Sequence, residues 1–165
     1  PGVRRIGLTS VGNTGFVAAT GLYDEVLSYD DLAALPGTGA GGVVAVDFAG
    51  NAALLRAIHE RLATALRYSC LVGATHVGNR ESGGDPLPGP APVLFFAPDH
   101  ATAIIKDLGP KGFAEAVSQS WTGFIAGAGA FMRVDHRDGL EAARDAFLAT
   151  LAGKADPAVG IVIRP

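Results

Sequence analysis

Apolar positions along the chain alternate between two spacings. Val3 to Leu8 is a short apolar run that stops at Thr9-Ser10, the pattern of a strand closed by small polar residues. Gly12 to Thr20, with Phe16 and Val17, reads as a short helix, and Glu25 to Tyr29 as a second strand centred on Val26 and Leu27. Pro36 to Gly42 is a turn, and Val43 to Phe48 is a strongly apolar strand with Asp47 near its end. Asn51 is placed to cap a long helix through Leu66, because Leu54, Leu55, Ile58, Leu62 and Leu66 recur at helical spacing. His59 is expected on the outer, solvated side of that helix. Arg67 to Val72 is the next strand and ends at Gly73. Gly78 to Pro92 holds four of the ten prolines and reads as a loop. Val93 to Ala97 is a strand. Asp99 then caps a helix to Leu108, broken by Gly109-Pro110. Gly112 to Ala130 is a further helix whose Phe113, Val117, Trp121, Phe124 and Ile125 are expected to pack against the sheet. Phe131 to His136 is a strand, Asp138 caps a helix to Leu151, and Val159 to Arg164 is the last strand.

Strands separated by helices of this length need crossover connections, which predicts an α/β fold with a mostly parallel, doubly wound, Rossmann-like sheet. No linker or internal repeat divides residues 1–165, so one domain is expected. Apolar residues make up 48% of the chain and charged residues 18%, enough for a real core. Thirteen basic against sixteen acidic residues leave a net charge of −3, and basic residues never cluster, which argues against nucleic acid and anionic membrane as partners. No apolar run is long enough to span a bilayer, no secretory signal opens the chain, and a single cysteine fits a reducing compartment; a cytoplasmic location is expected.

In doubly wound sheets ligands lie beyond the carboxyl ends of the strands. Here those ends are Thr9-Ser10, Tyr29-Asp30, Asp47-Phe48-Ala49-Gly50-Asn51, Gly73-Ala74-Thr75-His76 and Ala97-Pro98. The glycine run from Gly37 to Gly42 precedes a strand, so it lacks the helix N-terminus that a phosphate cradle needs. Gly12-Asn13-Thr14-Gly15 follows a strand and opens a helix, with Asp30 about twenty residues on, near the distance expected of a ribose-binding acid. A capped turn explains those glycines equally well. The histidines show no metal-ligand spacing, so no metal is expected. Cys70 lies inside a strand and reads as a small core residue. Neither a nucleophile elbow nor a base near Ser118 and Ser120 points to a hydrolase, and Asp85 reads as a solvated loop residue.

Several of these segments carry a resemblance. Gly7-Leu8-Thr9-Ser10, Asn13, Phe16-Val17, Gly21 to Val26 and Tyr29-Asp30 form one group; Val46 to Asn51, Ser69 to His76 and Phe95 to Pro98 form the rest. In collinear order across nearly the whole chain, they resemble a family of proteins known only as a domain of unknown function. That family is similar to the medium-chain dehydrogenase/reductases of the zinc-free quinone oxidoreductase group. The resemblance implies a carboxyl-terminal part whose first βα unit, glycine-rich phosphate loop and GroES-like substrate domain lie upstream, with residues 131–165 returning toward that domain. Pro1 at the first position fits this expectation. Gly12 to Gly15 would then not be the dinucleotide loop.

The resemblance also implies hydride transfer between NADP and a carbonyl or enone substrate. The expected cofactor-binding residues are Thr9, Ser10, Asn13, Asp47, Phe48, Ala49, Gly50, Gly73, Ala74, Thr75, Phe95 and Phe96. A second strand ending in Asp or Glu would favour NAD, whereas Thr9-Ser10 with no acid before Asp24 suits the 2′-phosphate of NADP. No Arg or Lys follows Ser10 closely. No catalytic residue is assigned, Tyr68 and His76 included. The expected partners are a small-molecule substrate and the upstream domain, and a homodimer stays open. The alternative is a non-catalytic Rossmann-like module for binding or assembly.

Overall fold

A computed structural model describes residues 2–36, 41–73 and 86–164. In chain order the elements are β1 (Ile6–Thr9), α1 (Thr14–Ala19), β2 (Glu25–Ser28), β3 (Val43–Asp47), α2 (Ala52–Leu62), β4 (Leu66–Leu71), β5 (Val93–Leu94), α3 (Ala97–Ala128), β6 (Arg133–Asp138), α4 (Gly139–Leu151) and β7 (Val159–Arg164). The protein is mixed α/β with parallel strands. Among the described residues those strands are shared among three small sheets, ordered β1-β2, β3-β4-β5 and β6-β7, where the sequence predicted one continuous sheet. The chain forms two compact units, Leu27–Phe113 and a second made of Pro1–Val26 with Ala114–Pro165.

In the Leu27–Phe113 unit, β3, β4 and β5 run parallel, with Val46 beside Cys70 and Cys70 beside Val93. The strands form because each is a run of β-branched or apolar residues. Asn51 starts α2 as expected: its side-chain oxygen accepts from Leu54 N–H at 3.0 Å. The helix stops at Leu62, short of the predicted Leu66, where Ala63 takes φ +42° and a 3₁₀ turn (Ala63–Ala65) leads into β4. Leu62, Ala65, Leu66 and Cys70 are buried around this junction, and Leu35 is buried in the same unit. Arg61 ties α2 to the preceding 3₁₀ segment by donating to the carbonyls of Ala33 and Leu35.

His59 departs from expectation. It is wholly buried, not solvated, with Nδ1 2.9 Å from Pro88 O and Nε2 2.9 Å from the equally buried Ser69 Oγ. A carbonyl can only accept, so Nδ1 carries the proton and, in the neutral ring, Nε2 accepts from the Ser69 hydroxyl. This bridge fastens the Pro-rich segment and β4 to α2. Strand alternation puts Val44, Val46, Tyr68 and Val93 on the face opposite Ser69, and all four are exposed.

In the second unit, Phe16 meets Phe131 edge-on at 6.2 Å. Arg5 N–H donates to Asp24 Oδ2 at 2.7 Å, and Arg4 pairs with Glu25. β6, α4 and β7 make a βαβ unit in which Arg133 to Asp138 pair in register with Val159 to Arg164. α3 starts in the Leu27–Phe113 unit, where it breaks at Gly109 (φ +73°) just before Pro110, as read from the sequence. Beyond it, Val117, Trp121, Phe124 and Ile125 are exposed, Trp121 by 62%, where the sequence predicted a packed face. Their spacing marks one side of a helix but carries no information about what covers it.

Candidate functional site

Three parallel strands of one unit end side by side, and their carboxyl ends gather most of the predicted ligand residues. At the end of β3, the Asp47 carboxylate folds back on its own turn: Oδ1 accepts from Ala49 N–H at 2.9 Å and from Gly50 N–H at 3.0 Å. Gly50 takes φ +68°, a conformation that costs glycine nothing and turns the chain sharply into Asn51 and α2. The result is a tight strand-to-helix turn whose first residues expose Phe48.

The turn is also tied to its neighbour. Val72 N–H and Gly73 N–H both donate to Asp47 O, at 2.8 and 3.2 Å. A Cβ at Gly73 would overlap the carbonyl oxygen of Phe48, so only glycine lets the two strand ends approach this closely. On the other side of β4, Phe95 N–H donates to Leu71 O at 2.8 Å and extends the β5 pairing by one residue. The Phe95 ring stacks on His100 with centroids 4.4 Å apart, and Phe96 is exposed beside it. Asp47, Phe48, Ala49, Gly50, Gly73, Phe95 and Phe96 are thus brought to one sheet edge.

Sequence reasoning gave Tyr29 no role. It is half-buried near Asp47, and its phenol is pushed above its usual range, first by burial and then by the Asp47 charge. Asp30 is exposed, and its N–H donates to Ser28 Oγ at 3.2 Å. Ala74, Thr75 and His76 lie outside the described residues, as do Gly37 to Ala40 and Asp85.

Thr9, Ser10 and Asn13 belong to the other unit. Thr9 is buried in β1, while Ser10 is exposed and its carbonyl accepts from Asn13 N–H at 2.9 Å, closing a 3₁₀ turn (Val11–Asn13) ahead of α1. A side chain at Gly12 or Gly15 would meet nothing within 4 Å, so packing requires neither glycine. Among the described residues no group of three or more His, Cys, Asp or Glu is placed to hold a metal ion. Cys70 is buried in β4, as its sequence context predicts.

The model of a family described as "Protein of unknown function (DUF2855)" matches residues 2–156. The chain belongs to the DUF2855 family. The expectation of a family of unknown function therefore holds. No curated protein matches the chain. In this DUF2855 chain the matched stretch takes in both the β3-β4-β5 edge and the β1 turn. No described helix is long and apolar enough to cross a membrane.

Proposed function

We propose that the chain is the NADP-binding part of an oxidoreductase-like protein similar to the zinc-free medium-chain reductases. In this reading its sheets derive from a doubly wound, Rossmann-like plan, and its partner is a GroES-like domain that supplies the substrate site. The observation that carries it is the close approach at Gly73. Three parallel strand ends meet there with the side chain removed at the centre and with Asp47 tying down its own turn, leaving backbone and aromatic edges open to a ligand. Such an edge suits the flat rings and sugar of a nucleotide, which bind beyond the carboxyl ends of parallel strands.

The preference for NADP over NAD rests on the β1 turn. Ser10 is an exposed hydroxyl, and no acid stands near it in sequence to repel a 2′-phosphate. Arg4 and Arg5, at the start of that strand, are engaged by Glu25 and Asp24. Hydride transfer of this kind needs positioning and a polarised carbonyl more than a dedicated nucleophile, and the substrate is a carbonyl or enone compound.

Calorimetry of the full-length protein with NADPH and NADH tests this. NADPH should bind with a Kd below about 1 mM and more tightly than NADH. Gly73→Val should abolish that binding while circular dichroism shows the fold kept. No heat from either nucleotide up to that concentration removes the proposal.

The exposed stripe from Val117 to Ile125 favours a second reading, a module kept for assembly without turnover. Nucleotide binding with no activity across a panel of carbonyls and quinones would select it.

A further inference from the structure

The βαβ unit of β6, α4 and β7 contains a surface that packing does not explain. Arg133, Asp135 and Arg137 alternate along β6, so all three side chains project from one face of the strand. That face is turned toward α4. A cavity of about 220 Å³ is lined by these three residues, by Val159 and Ile161 on the same face of β7, by Ala149 of α4, and by Lys154 to Asp156. A strand face beneath a helix is ordinarily apolar. Here it is charged and half open to solvent, Arg137 by 39% and Asp135 by 42%, and α4 contributes only the small Ala149 to the cavity wall.

The charges are not balanced. Asp135 Oδ2 accepts from Arg137 Nε at 2.9 Å. Asp156 accepts from Arg133 at 3.3 Å through Oδ2 and from Ala158 N–H at 2.9 Å through Oδ1. Both carboxylates are therefore engaged. Lys154 is held at the cavity by its backbone, its N–H donating to Ala149 O at 2.8 Å, and its ammonium makes no ion pair among the described residues. Three cations against two engaged carboxylates leave one unit of positive charge at the cavity, and each guanidinium keeps N–H groups beyond the one in its ion pair.

We infer that this cavity is a binding site for a small oxyanion, a phosphate or carboxylate group, held by Lys154, Arg137 and Arg133. A cavity of about 220 Å³ lies below the range of about 300–1,000 Å³ used for drug-sized ligands, so the ligand is a compact anion, not a nucleotide. The site lies within one unit and is independent of the nucleotide reading.

The test is calorimetric titration of the full chain, at low ionic strength, with inorganic phosphate and separately with malonate. At least one should bind in the low-millimolar range or tighter, and the tighter of the two identifies the ligand as phosphoryl or carboxylate. Lys154→Ala and Arg137→Gln should each weaken binding by about tenfold, the loss expected for one charge-assisted hydrogen bond. Arg144→Gln, an exposed charge on α4 paired with Asp145, should leave it unchanged. Lys154 lies beyond the end of α4, so its variant keeps the test valid should Arg137→Gln fail to fold. Three results would overturn the inference: no binding of either anion up to about 20 mM, Lys154→Ala binding as tightly as the parent chain, or Arg144→Gln losing as much as Lys154→Ala.

Discussion

Replacing His59 by Phe keeps a ring of similar size in the same buried place but removes both nitrogens. The Ser69 hydroxyl, on a residue with no exposed surface, then has no partner, and the Pro88 carbonyl loses its donor. An unsatisfied buried hydroxyl costs about 1–3 kcal/mol, and the partly buried carbonyl about 0.5–1.5 kcal/mol because water reaches it. Together these predict a loss of about 2–4 kcal/mol for His59→Phe, a fall in Tm of several degrees at this chain length. Ser69→Ala removes the hydroxyl and leaves His59 Nε2 unpaired, for about 1–2 kcal/mol. Once the hydroxyl is gone, losing Nε2 no longer strands it. The double variant should therefore be less destabilised than the sum of the singles by about 1 kcal/mol. Urea unfolding followed by circular dichroism measures all three. Additivity within about 0.3 kcal/mol, or a single-variant loss below about 0.5 kcal/mol, would refute the bridge.

Other outcomes follow from local geometry. Ala63→Gly should raise stability by about 1 kcal/mol in urea unfolding, because φ +42° strains any residue with a Cβ. The Tyr29 phenol ionises above its ordinary value of 10.0, so the folded chain holds that proton more tightly than the unfolded one. Its stabilising effect is complete below pH 10.0 and is lost as pH rises through the folded value; Tyr29→Phe should flatten that part of the pH–stability curve. The Asp24 carboxyl is held below its ordinary 3.8, chiefly by the Arg5 backbone N–H and then by the Arg5 side chain. Its contribution is present above 3.8 and lost as pH falls further. Because the backbone bond survives Arg5→Ala, NMR titration of that variant should show Asp24 still lowered, though less.

Much of the fold is legible in the sequence because its signals are local. The apolar runs of β3 and β4, the Asn51 cap and the Gly109-Pro110 break each report a property of a few adjacent residues, and all appear where those residues predict. Asp47, Phe48, Ala49, Gly50 and Gly73 are read in the same way, from strand ends, whereas Phe95 and Phe96 enter only through the family resemblance. His59 was missed although its spacing carried a signal. It falls four residues after Leu55, three before Leu62 and seven before Leu66, on the apolar face, and treating it as polar moved it to the wrong side. Asp135 falls inside the predicted Phe131 to His136 strand, but Arg137 lies past its expected end, and nothing local shows that the two will line one cavity. The exposed Trp121 face marks the limit of local pattern: periodicity defines a surface and leaves its occupant unstated.

The Asp47 carboxylate has a division of labour with a practical result. One oxygen serves the turn, and the other has no hydrogen-bond partner among the described residues. An asparagine there would keep the acceptor that closes the loop while exchanging a negative acceptor for a neutral donor. The shape of the turn and its charge can thus be altered separately at this one position. A single-nucleotide substitution could therefore change the charge of this rim without first having to rebuild it.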